Sequence, residues 1–324
     1  MKNRILSGIQ PSGQLHVGNY FGMIERMVNF QEESELLCFI ANYHSLTSLS
    51  DSKKLERNTF EAFVDLLSLG IDPQKSIFWV QSHVPEVTEL AWILSNFTSV
   101  GLMQRSTSYK DKISNGLKPN MGLFSYPVLM ASDILLYQSN IVPVGKDQKQ
   151  HLEMTKDIAL KFNNFYGDTF IIPEAEIDKN KDLIIGIDGK KMSKSYNNTI
   201  PIFGNEKKIR KSIMRIITDN ASINEPKDKE TPLFHLYCLF ADKDEQQILA
   251  EKYDAPGLRY GDIKLELFEK IMEYFAPFRK KRAVLQSKPD DIKDILVHGA
   301  KKAKDAALEV LNKVRSSVGL SFNL

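Results

Sequence analysis

The sequence predicts an α/β protein, a doubly wound parallel sheet with a smaller all-helical domain after it. Three observations predict it. Runs of β-branched and aromatic residues alternate with helical repeats through the first half of the chain, the pattern of a parallel sheet covered by helices. The first such run ends in a glycine-containing turn that leads straight into a helix start. From about Lys207 the β signal fades, and charged helical patterns punctuated by Pro226, Pro232 and Pro256 take over. These shifts divide the chain into 1–199, 200–290 and 291–324.

Each element follows from its residues. Residues 5–9 (Ile-Leu-Ser-Gly-Ile) read as a buried first strand, and Gln10-Pro11-Ser12-Gly13 as the turn after it. Beyond Leu15-His16-Val17-Gly18-Asn19-Tyr20, the apolar residues Phe21, Ile24, Met27 and Val28 recur at helical spacing. Amides at a helix start are unpaired and face an anion well. Glycines at 8, 13 and 18 let a nucleotide approach the backbone where a Cβ would obstruct it. Further strands are predicted at 36–41, 77–81 and 141–144, and helices at 53–69, 87–95 and around 130–137. Asp147, with Gln150 three residues later, has the spacing of a helix cap for an amphipathic helix over 148–162. A last helix near 293–315 carries Ala303, Ala306, Ala307, Val310, Leu311 and Val314 on one face. Ligands in such a Rossmann-like fold sit beyond the carboxyl ends of the strands. Gly8–Gly18 and Gly145–Gln148 both occupy that position.

Length and composition bound the rest. A chain of 324 residues, 42% apolar and 26% charged, can bury a full core. Its net charge of +2 does not announce a nucleic-acid binder, so any RNA contact rests on local patches. Candidates are Lys207, Lys208, Arg210 and Lys211, then Arg279, Lys280, Lys281 and Arg282. Cys38 and Cys238, far apart and without a Cys-x-x-Cys pair, offer neither a disulfide framework nor a thiolate metal centre; no protein-held metal is expected. Reduced, buried thiols fit a reducing compartment. No run reaches the ~20 apolar residues of a membrane span, nor the apolar core of a signal peptide. A soluble, cytoplasmic protein is expected.

The strongest chemical signal is Lys190-Lys191-Met192-Ser193-Lys194-Ser195, three ammonium groups interleaved with two hydroxyls. Such a loop suits a polyphosphate. Lys-Met-Ser-Lys-Ser resembles, residue for residue, the signature loop of class I aminoacyl-tRNA synthetases, and His16-Val17-Gly18-Asn19 resembles their His-Ile-Gly-His signature. The resemblance runs essentially the full length and is closest to bacterial tryptophanyl-tRNA synthetases. It is carried further by Tyr126-Pro127-Val128-Leu129-Met130-Ala131-Ser132-Asp133-Ile134-Leu135-Leu136-Tyr137 and by Val142-Pro143-Val144-Gly145-Lys146-Asp147-Gln148-Lys149-Gln150-His151.

The resemblance implies two reactions. Tryptophan attacks the α-phosphate of Mg²⁺-ATP to give tryptophanyl-adenylate and pyrophosphate, and a ribose hydroxyl of tRNA(Trp) then takes the acyl group. Such chemistry rests on positioning and charge neutralisation more than on acid–base groups. It implies Lys191, Ser193 and Lys194 on the pyrophosphate, with His16 and Lys112 (beside Lys110) as further catalytic residues. ATP would be held by Gln10, Pro11, Ser12, Gly18, Asn19, Gly145, Lys146, Asp147, Ile184, Met192 and Ser195 together with those lysines. Gly186, Asp188 and Gly189 suggest a hinged loop that closes over ATP. Lys146 stands where many relatives carry Glu.

For tryptophan it implies Asp133, Met130, Tyr126, Gln148, His44, Val142, Val144 and Gly8. Asp133 lies in an apolar run, an expensive place for a carboxylate. As acceptor of the indole N–H it would contribute roughly 1.5–3 kcal/mol. Leu6 stands where the family commonly stacks an aromatic ring, and is kept as a pocket wall. The family is dimeric, so a homodimer is expected, with 200–290 binding the anticodon and the last helix returning to the catalytic domain. Rival readings are a tyrosyl-tRNA synthetase, a small nucleotidylyltransferase, and an inactive synthetase-like RNA-binding protein.

Overall fold

The computed structural model describes residues 3–114, 116, 118–145, 148–177 and 184–322, without the side chains of residues 107, 108, 111 and 112. Lys146, Asp147 and the Lys112 side chain therefore lie outside the described residues.

The α/β expectation holds. β1 (Arg4–Ile9), β2 (Glu35–Ile40), β3 (Ile77–Val80), β4 (Ile141–Pro143) and β5 (Glu174–Glu176) form one sheet in the order β3-β2-β1-β4-β5. Every neighbouring pair is parallel, with Arg4 opposite Glu35 and Leu37 opposite Ile77. The strand order reverses between β1 and β4. In an open parallel sheet, that reversal opens a crevice at the strands' carboxyl ends. The turn Gln10–Ser12 and residues Val144 and Gly145 therefore flank the same crevice.

β5 was not expected. Glu-Ala-Glu carries no β signal of its own, and the strand exists because β4 offers it a ladder, Ile141 against Glu174 through Pro143 against Glu176. The helix predicted around 130–137 instead runs Met121–Leu135, capped by Asn120, whose side-chain oxygen accepts the Leu123 N–H at 2.8 Å. Pro127 inside it hides its first half from a propensity reading. Cys38 is buried, whereas Cys238 is only partly covered.

The chain forms two compact units. The first comprises Met1–Gly13, Met27–Lys179 and Lys288–Leu324. Its core joins Leu6, Leu37, Trp79, Ile134, Val142 and Phe162 to Ala303, Ala307 and Leu311 of the last helix, Pro289–Ser317. That helix lies on β3 so closely that a Cβ added at Gly299 would sit 1.9 Å from the Phe78 carbonyl oxygen. The second unit comprises Gln14–Arg26 and Asn180–Ser287, and thus contains both signature segments. Its core includes Ile209, Ile213, Leu236, Leu267 and Ile271, with an aromatic cluster in which Tyr20 packs edge-on against Phe275 and Phe21 against Phe240.

Gly299→Ala would force a helix off a strand, an overpacking error that costs about 1–3 kcal/mol or more. Urea unfolding should show a clearly lower midpoint for this variant; an unshifted midpoint would contradict the packing described.

Candidate active site

In the first unit a buried carboxylate organises the site. Asp133, 4% exposed, projects from the helix Met121–Leu135. His44 Nε2 lies 2.8 Å from its Oδ2, and the Gln81 amide N–H₂ donates to Oδ1 at 2.8 Å and Oδ2 at 2.9 Å. His44 stands on the short helix Asn42–Ser45 just beyond β2, and Gln81 on the turn Gln81–His83 just beyond β3. Gln81, 1% exposed, is itself fixed, since its Oε1 accepts the Tyr43 N–H at 3.0 Å. A carboxylate offers about four acceptor positions, and among the described residues three contacts occupy it. One acceptor direction remains for a donor that enters the site.

One helical heptad earlier, Tyr126 Oη lies 2.6 Å from His151 Nε2, and His151 Nδ1 lies 2.8 Å from Gln148 Oε1. His151 is completely buried. If Nδ1 carries the proton, the neutral ring accepts from the Tyr126 hydroxyl and donates to Gln148 Oε1. The His44 ring meets Tyr126 edge-on at 6.2 Å, linking the two networks. Met130 and Val144 are half-buried and Val142 is buried, all packed with the core. Leu6 is likewise buried. A carboxylate of this kind can accept an N–H, and hydroxyl and amide oxygens such as these can accept from an ammonium group.

Some expectations change here. At the start of the helix Lys149–Tyr166 the Gln148 side chain makes no cap bond and turns to His151, while the cap expected at Asp147 lies outside the described residues. Gly8 is required by packing: a Cβ there would approach Phe39 Cζ to 2.5 Å. Pro11 is buried, Gln10 and Ser12 are exposed, and the Ser12 N–H closes the turn on the Gln10 carbonyl at 2.8 Å.

In the second unit the two signature segments meet. The His16 N–H donates to Asn19 Oδ1 at 3.1 Å, while the Asn19 N–H donates to the His16 carbonyl at 2.8 Å. The Gly18 N–H points at Met192 Sδ, 3.2 Å away. A Cβ at position 18 would fall 3.1 Å from Met192 Cβ and from His16 Nδ1, so any larger residue would push the loop or the ring aside by a few tenths of an ångström. Thioether sulfur is a weak acceptor, and this helix-start amide is covered without being strongly bonded.

The loop has a base that sequence reasoning missed. Asn198, 1% exposed, donates from Nδ2 to Asp188 Oδ1 at 2.7 Å and to the Lys191 carbonyl at 3.0 Å, and its Oδ1 accepts the Ser193 N–H at 2.7 Å. The Met192 N–H donates to the Ile184 carbonyl at 2.8 Å, placing Ile184 at the loop's entry. Ser193 Oγ accepts the Ser195 N–H at 3.3 Å. Lys191 and Ser195 are exposed and Lys194 is half-buried. Burial, and after it the Lys194 ammonium, push the His16 imidazole down to about 4, so the ring is neutral near pH 7. Its buried Nδ1 finds no partner among the described residues. His16 can thus help a phosphate only by hydrogen bonding.

Of the basic candidates, Lys207, Lys208, Arg210 and Lys211 lie exposed on the helix Glu206–Met214. Arg279 is largely consumed by the fold, donating to the Ile202 and Met272 carbonyls at 3.0 Å each. Arg282 lies over the Phe203 ring at 5.1 Å.

Over residues 1–276 the chain matches the family described as tRNA synthetases class I (W and Y). The chain belongs to this family of class I tRNA synthetases. It is 51% identical over 318 residues, 98% of its length, to the whole tryptophan–tRNA ligase of Campylobacter jejuni. It is 50% identical to that of Fusobacterium nucleatum, with 99% of each chain covered. A crystal structure of tryptophanyl-tRNA synthetase from C. jejuni, complexed with ADP and tryptophan, superimposes with a TM-score of 0.94 at 51% identity, covering 98% of this chain and 100% of that one.

Three supports of the synthetase site escaped the sequence: Gln81, His151 and Asn198. Each is a polar residue with no motif of its own, and only its neighbours in the fold give it meaning. The pH dependence of the synthetase's stability reports on His16. The unfolded imidazole binds its proton near 6.5 and the folded one only near 4, so acid favours the unfolded chain through that window. Stability should fall as pH drops from about 6.5 towards about 4, by on the order of 3 kcal/mol from this residue. His16→Gln should remove that component from denaturation curves taken across the window; parallel curves for parent and variant would exclude it.

Proposed function

We propose that this synthetase activates L-tryptophan with ATP, giving tryptophanyl-adenylate and pyrophosphate, and then transfers tryptophan to the 3′ end of tRNA(Trp). The observation that carries this reading is the Asp133 carboxylate, buried among apolar walls with one acceptor direction open. An indole supplies the single N–H that such an acceptor lacks. A ring without the donor would leave that acceptor direction unfilled, and a site built to bond a substrate N–H selects against an analogue that lacks it. The whole-length relatives at about half identity are tryptophan–tRNA ligases, which supports tryptophan over tyrosine.

The residues divide the work by their chemistry. Tyr126 and Gln148, polarised by His151, receive the substrate's ammonium group, while Met130, Val142 and Val144 hold the ring. The substrate carboxylate then meets the α-phosphate of Mg²⁺-ATP in line, with Mg²⁺ arriving as part of the nucleotide. Gln10, Pro11, Ser12, Gly18 and Asn19 are the residues assigned to ATP. Lys191 and Lys194 neutralise the charge that develops on the leaving pyrophosphate, and Ser193 adds a donor. Hydrogen bonds from the weakly held Gly18 amide pass from the Met192 sulfur to a phosphate oxygen as the nucleotide enters. In the second step the 2′-hydroxyl of the terminal adenosine takes the acyl group. We further propose that the enzyme is a cytoplasmic homodimer, that 200–290 bind the anticodon, and that Lys112, Lys146 and Asp147 contribute to the ATP site.

ATP–pyrophosphate exchange with each of the twenty amino acids tests the reading: tryptophan alone should support rapid exchange, and exchange driven by tyrosine instead would reject it. Lys194→Ala should slow exchange by about 10²–10³-fold, the range for removing one preorganised donor to developing charge, with tryptophan affinity nearly unchanged. A matching loss in tryptophan binding would remove the transition-state role. Asp133→Ala should weaken tryptophan binding by roughly 1.5–3 kcal/mol and leave ATP binding intact by calorimetry; unaltered tryptophan affinity would refute the assignment.

A further inference from the structure

Beside the junction of the two signature segments, and wholly within the second unit, lies a cavity of about 380 Å³. Lys194, Lys208, Lys211 and Arg215 line it together with Thr199 and Ser212, and no described carboxylate does. Four cationic side chains around one cavity are unusual in a chain whose net charge is only +2. Among the described residues, no ion pair engages Lys208, Lys211 or Arg215. Like charges gathered around one cavity raise the local positive potential and favour an anion there, most strongly at low salt.

The geometry points to a binding site for the phosphodiester backbone of the RNA substrate, an inference that rests on the synthetase reading above. Lys208, Lys211, Ser212 and Arg215 follow one another at i, i+3, i+4 and i+7 on one face of the helix Glu206–Met214 and its C-cap. Their α-carbons span ~10 Å along the axis at 1.5 Å per residue. A row of cations of that length follows successive phosphates along a strand rather than converging on one compact group.

The neutral lining agrees. Thr199 and Ser212 offer hydroxyls, the kind of group that commonly shares phosphate oxygens with lysine and arginine. Gln14 also lines the cavity, and its amide nitrogen already donates to the Phe203 carbonyl, leaving the amide oxygen as an acceptor. An acceptor beside cations is wasted on a triphosphate but suits a ribose 2′-hydroxyl, the group that distinguishes RNA. Lys194 belongs to both sites, so the RNA backbone reaches the cation that has just released pyrophosphate. None of Lys208, Lys211 and Arg215 lies in a signature segment, which is why the motifs alone do not reveal the site.

The test compares the parent enzyme with two double variants, Lys208→Gln/Lys211→Gln inside the cavity and Lys207→Gln/Arg210→Gln on the same helix but outside its lining. Binding of a tRNA(Trp) transcript is measured by fluorescence anisotropy across a KCl series, and ATP–pyrophosphate exchange is measured in parallel. Each lost phosphate contact lowers the slope of log affinity against log salt by roughly 0.7–0.9. The cavity variant should therefore lose about 1.4–1.8 from that slope, with exchange within about twofold of the parent and an unchanged unfolding midpoint. The outside variant should lose less than half as much slope. An unchanged slope in the cavity variant, an equal loss in the outside variant, or a parallel fall in exchange (a cavity that serves ATP) would each overturn the proposal. Absence of tryptophan-dependent exchange in the parent would instead reject the synthetase reading.

Discussion

A carboxylate taken out of water must be answered by donors, and at Asp133 that requirement shapes the first unit. A bare charge in an apolar interior costs far more than a small domain's margin of stability. His44 and Gln81 supply the answer from the carboxyl ends of β2 and β3, and Asp133 reaches them from the helix Met121–Leu135. Three separate elements must therefore dock together before the charge can be buried. Any pair of them alone would leave an acceptor or a donor orphaned. Among the described residues these contacts leave one acceptor direction of the carboxylate unfilled.

The same logic recurs with a neutral residue at Asn198. Its amide ties Asp188, Lys191 and Ser193 into one turn, so the lysines rise from a rigid base although they are themselves exposed or half-exposed. Met192 is the counterpart on the other side, buried and seated against Gly18. The loop is thus firm at its foot and held at its tip by a weak sulfur contact. His16 completes the picture as a neutral ring, kept so by burial and by Lys194. The positive charge in this unit thus comes from lysines and arginines, and is spread along a helix rather than focused at the signature turn.

Buried polar side chains carry a disproportionate share of the site. His151 is invisible to solvent yet decides which atoms of Tyr126 and Gln148 can accept a hydrogen bond. Arg279 shows the converse, a cation that a charge count assigns to a surface patch but whose guanidinium is spent on two backbone carbonyls. Counting charges along a sequence therefore overstates one patch and cannot separate Lys208 from Lys207 on the other.

The sequence by itself determined the alternation of four strands with their helices, the family and the reaction class, and it singled out His16, Asp133, Lys191 and Lys194 as candidates. These are legible because periodicity and short contiguous motifs are local, and a buried acid in an apolar run stands out wherever it ends up. The tertiary structure decided what depends on a partner distant in the chain. β5 exists only because β4 offers it a ladder, and Gly8 is required by a ring on the neighbouring strand. Gln81 and His44 lie 52 and 89 positions from the acid they satisfy, a separation no local pattern encodes. Burial raises the cost of an unmade hydrogen bond, and burial is a property of the folded chain alone.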